Sequence, residues 1–201
     1  MGKLIAIVGN TGCGKTTLAK LLCQDFAYTG FLEQHHERPF QGTFMQDRKT
    51  TAFANQVDFM LFRAEQEVAI RSTAVVGIQD GGLDQDFYIF TRLFHHNHYL
   101  SDSEFDLLAR FFTLARRTLP LPDAMIRLVT PVPLLVERRR LRNRDLDIAQ
   151  SADLPLIESL LADWFSGAYP LPPCLDVNTS DNDPTFAASL PRIGAYLESI
   201  L

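Results

Sequence analysis

The chain has 201 residues, 46% hydrophobic and 21% charged, the proportions of a soluble globular protein with one domain over residues 1–201 and a core of its own. A net charge of −5 argues against a surface that tracks a phosphate backbone, so no nucleic-acid polymer is expected as partner. No apolar run approaches the ~20 residues that cross a bilayer, and Cys13, Cys23 and Cys174 have no metal-ligand spacing, so a reduced, cytoplasmic setting without a membrane is expected.

In chain order, the apolar run from Lys3 predicts a strand over Leu4–Val8 almost at Met1, so no leader peptide is expected. Residues Gly9-Asn10-Thr11-Gly12-Cys13-Gly14-Lys15-Thr16 follow, then a helix over Lys15–Asp25 and a short strand near Gly30–Glu33. Thr51–Arg71 carries Phe53, Val57, Met60, Leu61 and Ala64 at helical spacing. A strand over Ala74–Gln79 and an aromatic-rich helix over Asp86–His98 come next. Ser101 with Glu104 forms a capping signal for a helix ending before Pro120 and Pro122. A strand over Ala124–Val129, a helix opened by Pro131 and Pro133 and running through Arg138, a helix over Asp153–Phe165, a strand over Cys174–Asn178 and a helix over Pro184–Ile200 complete the chain. Alternating strands and helices imply an α/β fold, a parallel sheet covered on both faces, with ligands at the carboxyl ends of its strands.

The Gly9–Thr16 segment reads G-x-x-x-x-G-K-T between a strand and a helix, the context a P-loop requires. Its glycines let successive N–H groups of Gly9, Asn10, Thr11, Gly12, Cys13 and Gly14 curl around a phosphate chain, and the helix adds its positive end beside Thr16 and Thr17. Lys15 reaches the β- and γ-phosphates, and the Thr16 hydroxyl binds Mg²⁺. Three further groups narrow this reading. Glu33, closing the second strand, offers a carboxylate to accept a hydroxyl proton during phosphoryl transfer; its alternative reading is an exposed loop glutamate. Gln56 and Arg63 share a face of the long helix and, with Asp86, form a set able to meet a nucleobase edge, against the alternative of a solvated helix face. Arg138, Arg142 and Arg144 lie beyond the fourth strand, where they could close over a triphosphate or simply face solvent.

With these motifs in order, the chain resembles the deoxynucleoside kinase family over nearly its full length. Phe53-Ala54-Asn55-Gln56 with Arg63 resembles the family's F-x-x-Q…R helix; Asp80 and Asp86-Phe87-Tyr88-Ile89-Phe90 resemble its acidic metal-site residue and D-x-x-x-F segment. Leu121-Pro122-Asp123 resembles the family's approach to the fourth strand, and Arg138, Arg142-Asn143-Arg144 and Asp147 its arginine-rich lid, here about 138–147. The resemblance implies a P-loop NTPase three-layer sandwich with a five-stranded parallel sheet, and a homodimer. It also implies ATP as phosphate donor with Mg²⁺ at Thr16 and Asp80, Glu33 as general base, and Lys15 and the lid arginines Arg138, Arg142 and Arg144 as catalytic cations. A nucleoside would be bound by Glu33, Met45, Gln56, Arg63, Asp86, Phe90 and Asp147, and the ATP adenine by the segment around Asn178, Ser180 and Asp181.

Four positions depart from the family pattern. Gly81-Gly82 stands where the family has Arg-Ser, Met45 where it has a tyrosine, and Asp147 where it has a glutamate. The Arg63–Asp86 pair resembles that of family members handling purine deoxynucleosides or deoxycytidine rather than thymidine. Two other readings stay open: a kinase for another small acceptor such as a nucleoside monophosphate, and a nucleotide-binding regulatory protein with a decayed site. A GTP switch lacks its N-K-x-D motif. The histidines His35, His36, His95, His96 and His98 complete no metal-ligand spacing and read as polar helix ends.

Overall fold

The computed structural model describes residues 1–32, 38–142 and 149–201. Five strands form one parallel sheet in the order β2-β3-β1-β4-β5: β1 (Lys3–Gly9), β2 (Thr29–Phe31), β3 (Val76–Asp80), β4 (Ala124–Val129) and β5 (Cys174–Asn178). Period-two alternation divides the core between the two faces. Ile5 and Ile7 of β1 join Ile126 and Leu128 of β4 in one cluster, while Ala6 and Val8 join Met125 in the other. The first cluster is closed by Leu18 and Leu22 of α1 (Lys15–Asp25), by Leu135 of the helix Val132–Arg142, and by Ile193 and Leu197 of the helix Leu190–Ile200. The second is closed by the remaining long helices, with the fully buried Trp164 at its centre. The result is the expected three-layer α/β sandwich.

Between β2 and β3 the chain forms α2 (Gln41–Gln46) and α3 (Arg48–Arg71). The sequence signals missed α2, whose six residues carry only Phe44 and Met45 as apolar anchors and are held by packing on α3. The α3 helix also begins earlier than its apolar periodicity indicated, because the Asp47 side chain accepts the Thr50 N–H and caps it. After β3 the helical run is broken into α4 (Leu83–Gln85), a wide turn over Asp86–Thr91 and α5 (Arg92–His96). Ser101 and Glu104 form the expected reciprocal capping box at the start of α6 (Asp102–Thr118). The helix Val132–Arg142 (α7) is followed by α8 (Leu154–Asp163). The last helix, α9, starts at Leu190 rather than Pro184. Asp183 instead gathers the N–H groups of Thr185 and Ala187 into a turn, and Phe186 takes a left-handed φ of 52° that no helix continues through.

At the amino edge of the sheet, Asp123 accepts the Leu4 N–H at 2.8 Å and pairs with Lys3 and Arg71, fixing β1 against β4. Burial tends to raise this carboxyl, but the Leu4 N–H and the Arg71 and Lys3 charges outweigh it and hold it below its ordinary value. The opposite edge carries the site. Ile7 is in register with Asp80, and Gly9 with Leu128, so the ends of β1, β3 and β4 open on one crevice. From β1 the chain passes to β2 at the sheet edge, returns through β3 and crosses to β4 on the other side of β1, the reversal of strand order that creates a ligand crevice at the carboxyl ends.

Candidate active site

The P-loop side of the crevice is built mostly from backbone. Gly12 and Gly14 adopt φ of 87° and 108°, curling the loop ahead of α1. The Asn10 side chain faces away from the loop's mouth: its amide donates to Leu154 O and to Glu158, both at 3.0 Å, and its oxygen accepts the Thr11 N–H at 2.8 Å. Asn10 therefore anchors the loop to α8, leaving its backbone to face a ligand. Lys15 Nζ lies 3.1 Å from Gly9 O and 3.0 Å from Asn10 O, held over the loop. Cys13 is fully buried; burial pushes its thiol up more than the Lys15 charge pulls it down, so it is a core residue rather than a reactive thiolate.

The Thr16 hydroxyl hydrogen-bonds the buried Asp80 carboxylate, joining the P-loop to the end of β3. A hydroxyl and a carboxylate beside a phosphate loop suit Mg²⁺, which takes few protein oxygens and completes its shell with phosphate and water. Among the described residues no cluster of three or more His, Cys, Asp or Glu is present.

Beside Gly12, Gly14 and Thr17 lies a cavity of about 240 Å³, bounded opposite by Thr179, Asn182, Pro184 and Phe186. Arg138 of α7 closes its rim by donating to Asn182 Oδ1 at 2.8 Å, Thr179 O at 2.7 Å and Cys13 O at 3.4 Å. The segment after β5 thus faces the P-loop across this cavity, through Thr179 and Asn182. The Asn178 and Asp181 side chains instead accept N–H groups of their own turn, from Ser180 and Asp183.

The side of the crevice toward α3 is built from side chains. Arg63 Nε pairs with Asp86 Oδ2 at 3.1 Å, the two side chains only 1% and 4% exposed. Gln56 donates to the Asp86 carbonyl at 2.9 Å. The three residues expected to read a base are therefore in one buried nest. Phe90 and Met45 are half-buried against the same core, from the wide turn and from α2.

A family model for deoxynucleoside kinases matches residues 5–185. The chain belongs to the deoxynucleoside kinase family. It is 29% identical over 146 residues to a deoxyadenosine kinase of Dictyostelium discoideum, a match spanning 73% of this chain and 59% of that protein, less than two thirds of the relative's length. It is 26% identical over 161 residues to a deoxyguanosine kinase of Bacillus subtilis (strain 168), spanning 80% of this chain and 75% of that one. A structure of deoxyadenosine kinase from M. mycoides, with the products dCMP and a flexible dCDP bound, superposes with a TM-score of 0.84 at 20% identity, covering 98% of this chain and 100% of that one. That likeness concerns the fold.

Within this deoxynucleoside kinase fold, Gly81 has a physical reason. Its φ is 91°, and a Cβ there would sit 3.1 Å from Arg63 Nη2. The Arg63 guanidinium fills the space beside the backbone where the family pattern would start an arginine side chain. Further along α3, Arg63 donates to Gln66 at 3.3 Å, and Gln79 of β3 donates to Gln66 and to the Arg63 carbonyl.

Two features had no sequence signal. Gln85, 2% exposed, accepts the Gly9 N–H at 2.9 Å and ties the residue before Asp86 to the first residue of the P-loop. Arg116 of α6 holds both oxygens of Glu67 at 2.7 and 2.8 Å and both of Asp84 at 2.8 and 3.0 Å. Burial pushes both carboxyls up against the pull of Arg116, and their hydrogen bonds keep the guanidinium charged despite its own burial. These residues come from three distant elements, so no local pattern announces them. Glu33, the Arg142 side chain, Arg144 and Asp147 lie outside the described residues.

Proposed function

We propose that this chain is a deoxynucleoside kinase that transfers the γ-phosphoryl group of Mg²⁺-ATP to the 5′-hydroxyl of a deoxynucleoside, most suitably a purine deoxynucleoside or deoxycytidine. The observation that carries this reading is the adjacency of two built half-sites. The P-loop with its Thr16–Asp80 pair and the buried Gln56–Arg63–Asp86 nest share one sheet edge and are joined by the Gln85–Gly9 hydrogen bond.

In this reading the P-loop N–H groups and Lys15 cradle the β- and γ-phosphates, and the 240 Å³ cavity takes the adenine. Thr16 and Asp80 would hold Mg²⁺, which when bound offsets charge on the phosphates. Gln56, Arg63 and Asp86 orient the base, Phe90 packs against it, and Met45 borders the sugar. Glu33 accepts the 5′-hydroxyl proton as the phosphoryl group arrives in line. Arg138, Arg142 and Arg144 belong to a lid over 138–147, with Asp147 approaching the sugar. Arg63, lying against Gly81, supplies the cation nearest the position of the family's missing arginine.

The exposed Val57, Leu61 and Val68 of α3 and Leu107 and Leu114 of α6 support a homodimer joined along these helices. Three free cysteines and the lack, among the described residues, of any helix long and apolar enough to cross a membrane support a reducing cytoplasmic setting. One observation favours a second reading, a nucleotide-binding regulator: Gly81 removes a phosphate-side cation. The two separate on Glu33→Gln. In the kinase, turnover is nearly abolished while ATP affinity stays close to wild type. Unchanged turnover in that variant removes Glu33 as the base, and ATP binding with no turnover on any acceptor in the wild type supports the regulator.

A further inference from the structure

Asn55 of α3 and Gln41 of α2 are 0% and 1% exposed, and neither oxygen nor nitrogen of either side-chain amide has a hydrogen-bond partner among the described residues. Buried amides without partners are rare in folded proteins, and each carries a desolvation cost that a polar ligand can relieve. Two of them in packed neighbouring elements call for a physical reason.

Their placement supplies one. Asn55, Asp58, Phe62 and Gln66 recur at helical spacing and form one flank of α3. At one end of this flank, Gln66 donates to Leu32 O, just past β2. In the middle, Arg38 pairs with Asp58 at 2.9 Å and lies 4.4 Å over the Phe62 ring. The Gln41 N–H in turn donates to Arg38 O, so the start of α2 follows directly on the residue paired with this flank, and α2 packs on α3. Asn55 directly precedes Gln56 in the chain, so the flank adjoins the buried nest of Gln56, Arg63 and Asp86.

We infer that Asn55 and Gln41 are specificity-determining residues that read a second polar edge of the acceptor base, and that the acceptor is therefore a purine deoxynucleoside. The inference rests on the kinase reading above and narrows it. A purine presents hydrogen-bonding groups on two edges, its Watson–Crick side and its N7 side, and each amide offers both donors and an acceptor. Gln56 with the Arg63–Asp86 pair serves one edge, and Asn55 with Gln41 serves the other. A pyrimidine turns its apolar C5–C6 edge toward them and leaves both amides buried and unpaired, which penalises it in the manner of any site built to hydrogen-bond an absent group.

The test compares kcat/KM for deoxyadenosine, deoxyguanosine, deoxycytidine and thymidine in the wild type, Asn55→Leu, Gln41→Met and the double variant. Melting temperatures are taken without ligand and with each nucleoside. The wild type is expected to favour its better purine over both pyrimidines by about a hundredfold, and each substitution to lower that ratio about tenfold through KM. Without ligand, both single variants are expected to melt at or above the wild-type temperature, because an apolar group of similar shape replaces an unpaired amide. The rise in melting temperature given by the purine should shrink in both. A fall in ligand-free stability, or an equal loss on all four substrates, overturns the inference in favour of a packing role. So does a wild type that turns over pyrimidines as well as purines, although the kinase reading then survives. A wild type that binds and turns over no nucleoside overturns both.

Discussion

The two halves of the crevice are made of different material. The donor half is a contiguous run of backbone: Gly12 and Gly14 set its curvature, and Lys15 and Thr16 follow within the same turn of chain. The acceptor half is assembled from side chains of α2, α3, β3 and the α4–α5 segment, with Arg63, Gln56, Gln66, Gln79, Gln85 and Asp86 all buried. A backbone cradle depends little on neighbouring side chains. A buried polar network depends on all of them, since each unpaired group inside the protein costs more than its bond contributes. The contrast predicts that donor-side changes remove activity and leave the fold alone, whereas removing a paired member of the acceptor-side network disturbs both.

The largest effect expected is on the donor side. Lys15→Met should lower kcat by about 10²–10³-fold, as losing a preorganised cation on a transferring group does, with the urea midpoint near wild type. A large stability loss in this variant would break the contrast. On the acceptor side, Arg116→Met leaves Glu67 and Asp84 buried with their charges uncompensated. It should cost about 3–5 kcal/mol by equilibrium unfolding, the usual result of removing one partner from a buried ion cluster. A cost below about 1 kcal/mol, as for an exposed pair, would show that water reaches the cluster.

Gly81→Ala sharpens the comparison, because it touches both halves. Its φ of 91° and the 3.1 Å approach of Arg63 Nη2 predict a loss of about 1–2 kcal/mol. The displaced Arg63 should raise KM for the nucleoside more than KM for ATP. Equal changes in the two would detach Arg63 from the acceptor. Away from the site, Ser101→Ala should cost about 1 kcal/mol through the lost cap of α6, with both KM values unchanged.

The smallest effect is one of pH. The Asp123 carboxyl titrates below its ordinary value of 3.8 in the folded chain, so the stability it adds is present above that value and is lost as pH falls through the lowered one. Asp123→Asn should flatten the dependence of the unfolding midpoint on pH in that acid range. An unaltered slope would place the acid sensitivity elsewhere.

The same contrast explains what could be read before the fold was known. The P-loop was legible because its chemistry is contiguous and its flanking strand and helix are strongly patterned. The Ser101–Glu104 box was legible because caps are local. Gln56, Arg63 and Asp86 gained meaning only from their ordered spacing within a family pattern; read singly, each is an ordinary polar helix residue. Gln85 and the Arg116 cluster had no pattern at all, because their partners lie on elements far away in the chain. The break of the α4–α5 segment into a wide turn escaped periodicity for a related reason. The residues Asp86–Thr91 keep helical dihedrals at both ends and change only their hydrogen-bond register.

The most direct test of the account follows the label of [γ-³²P]ATP with Mg²⁺ and each deoxynucleoside in turn, set beside a reaction without acceptor. The account predicts transfer to a deoxynucleoside 5′-monophosphate, fastest with a purine and dependent on Lys15. Label appearing only as inorganic phosphate, or remaining in ATP whichever nucleoside is added, would contradict it.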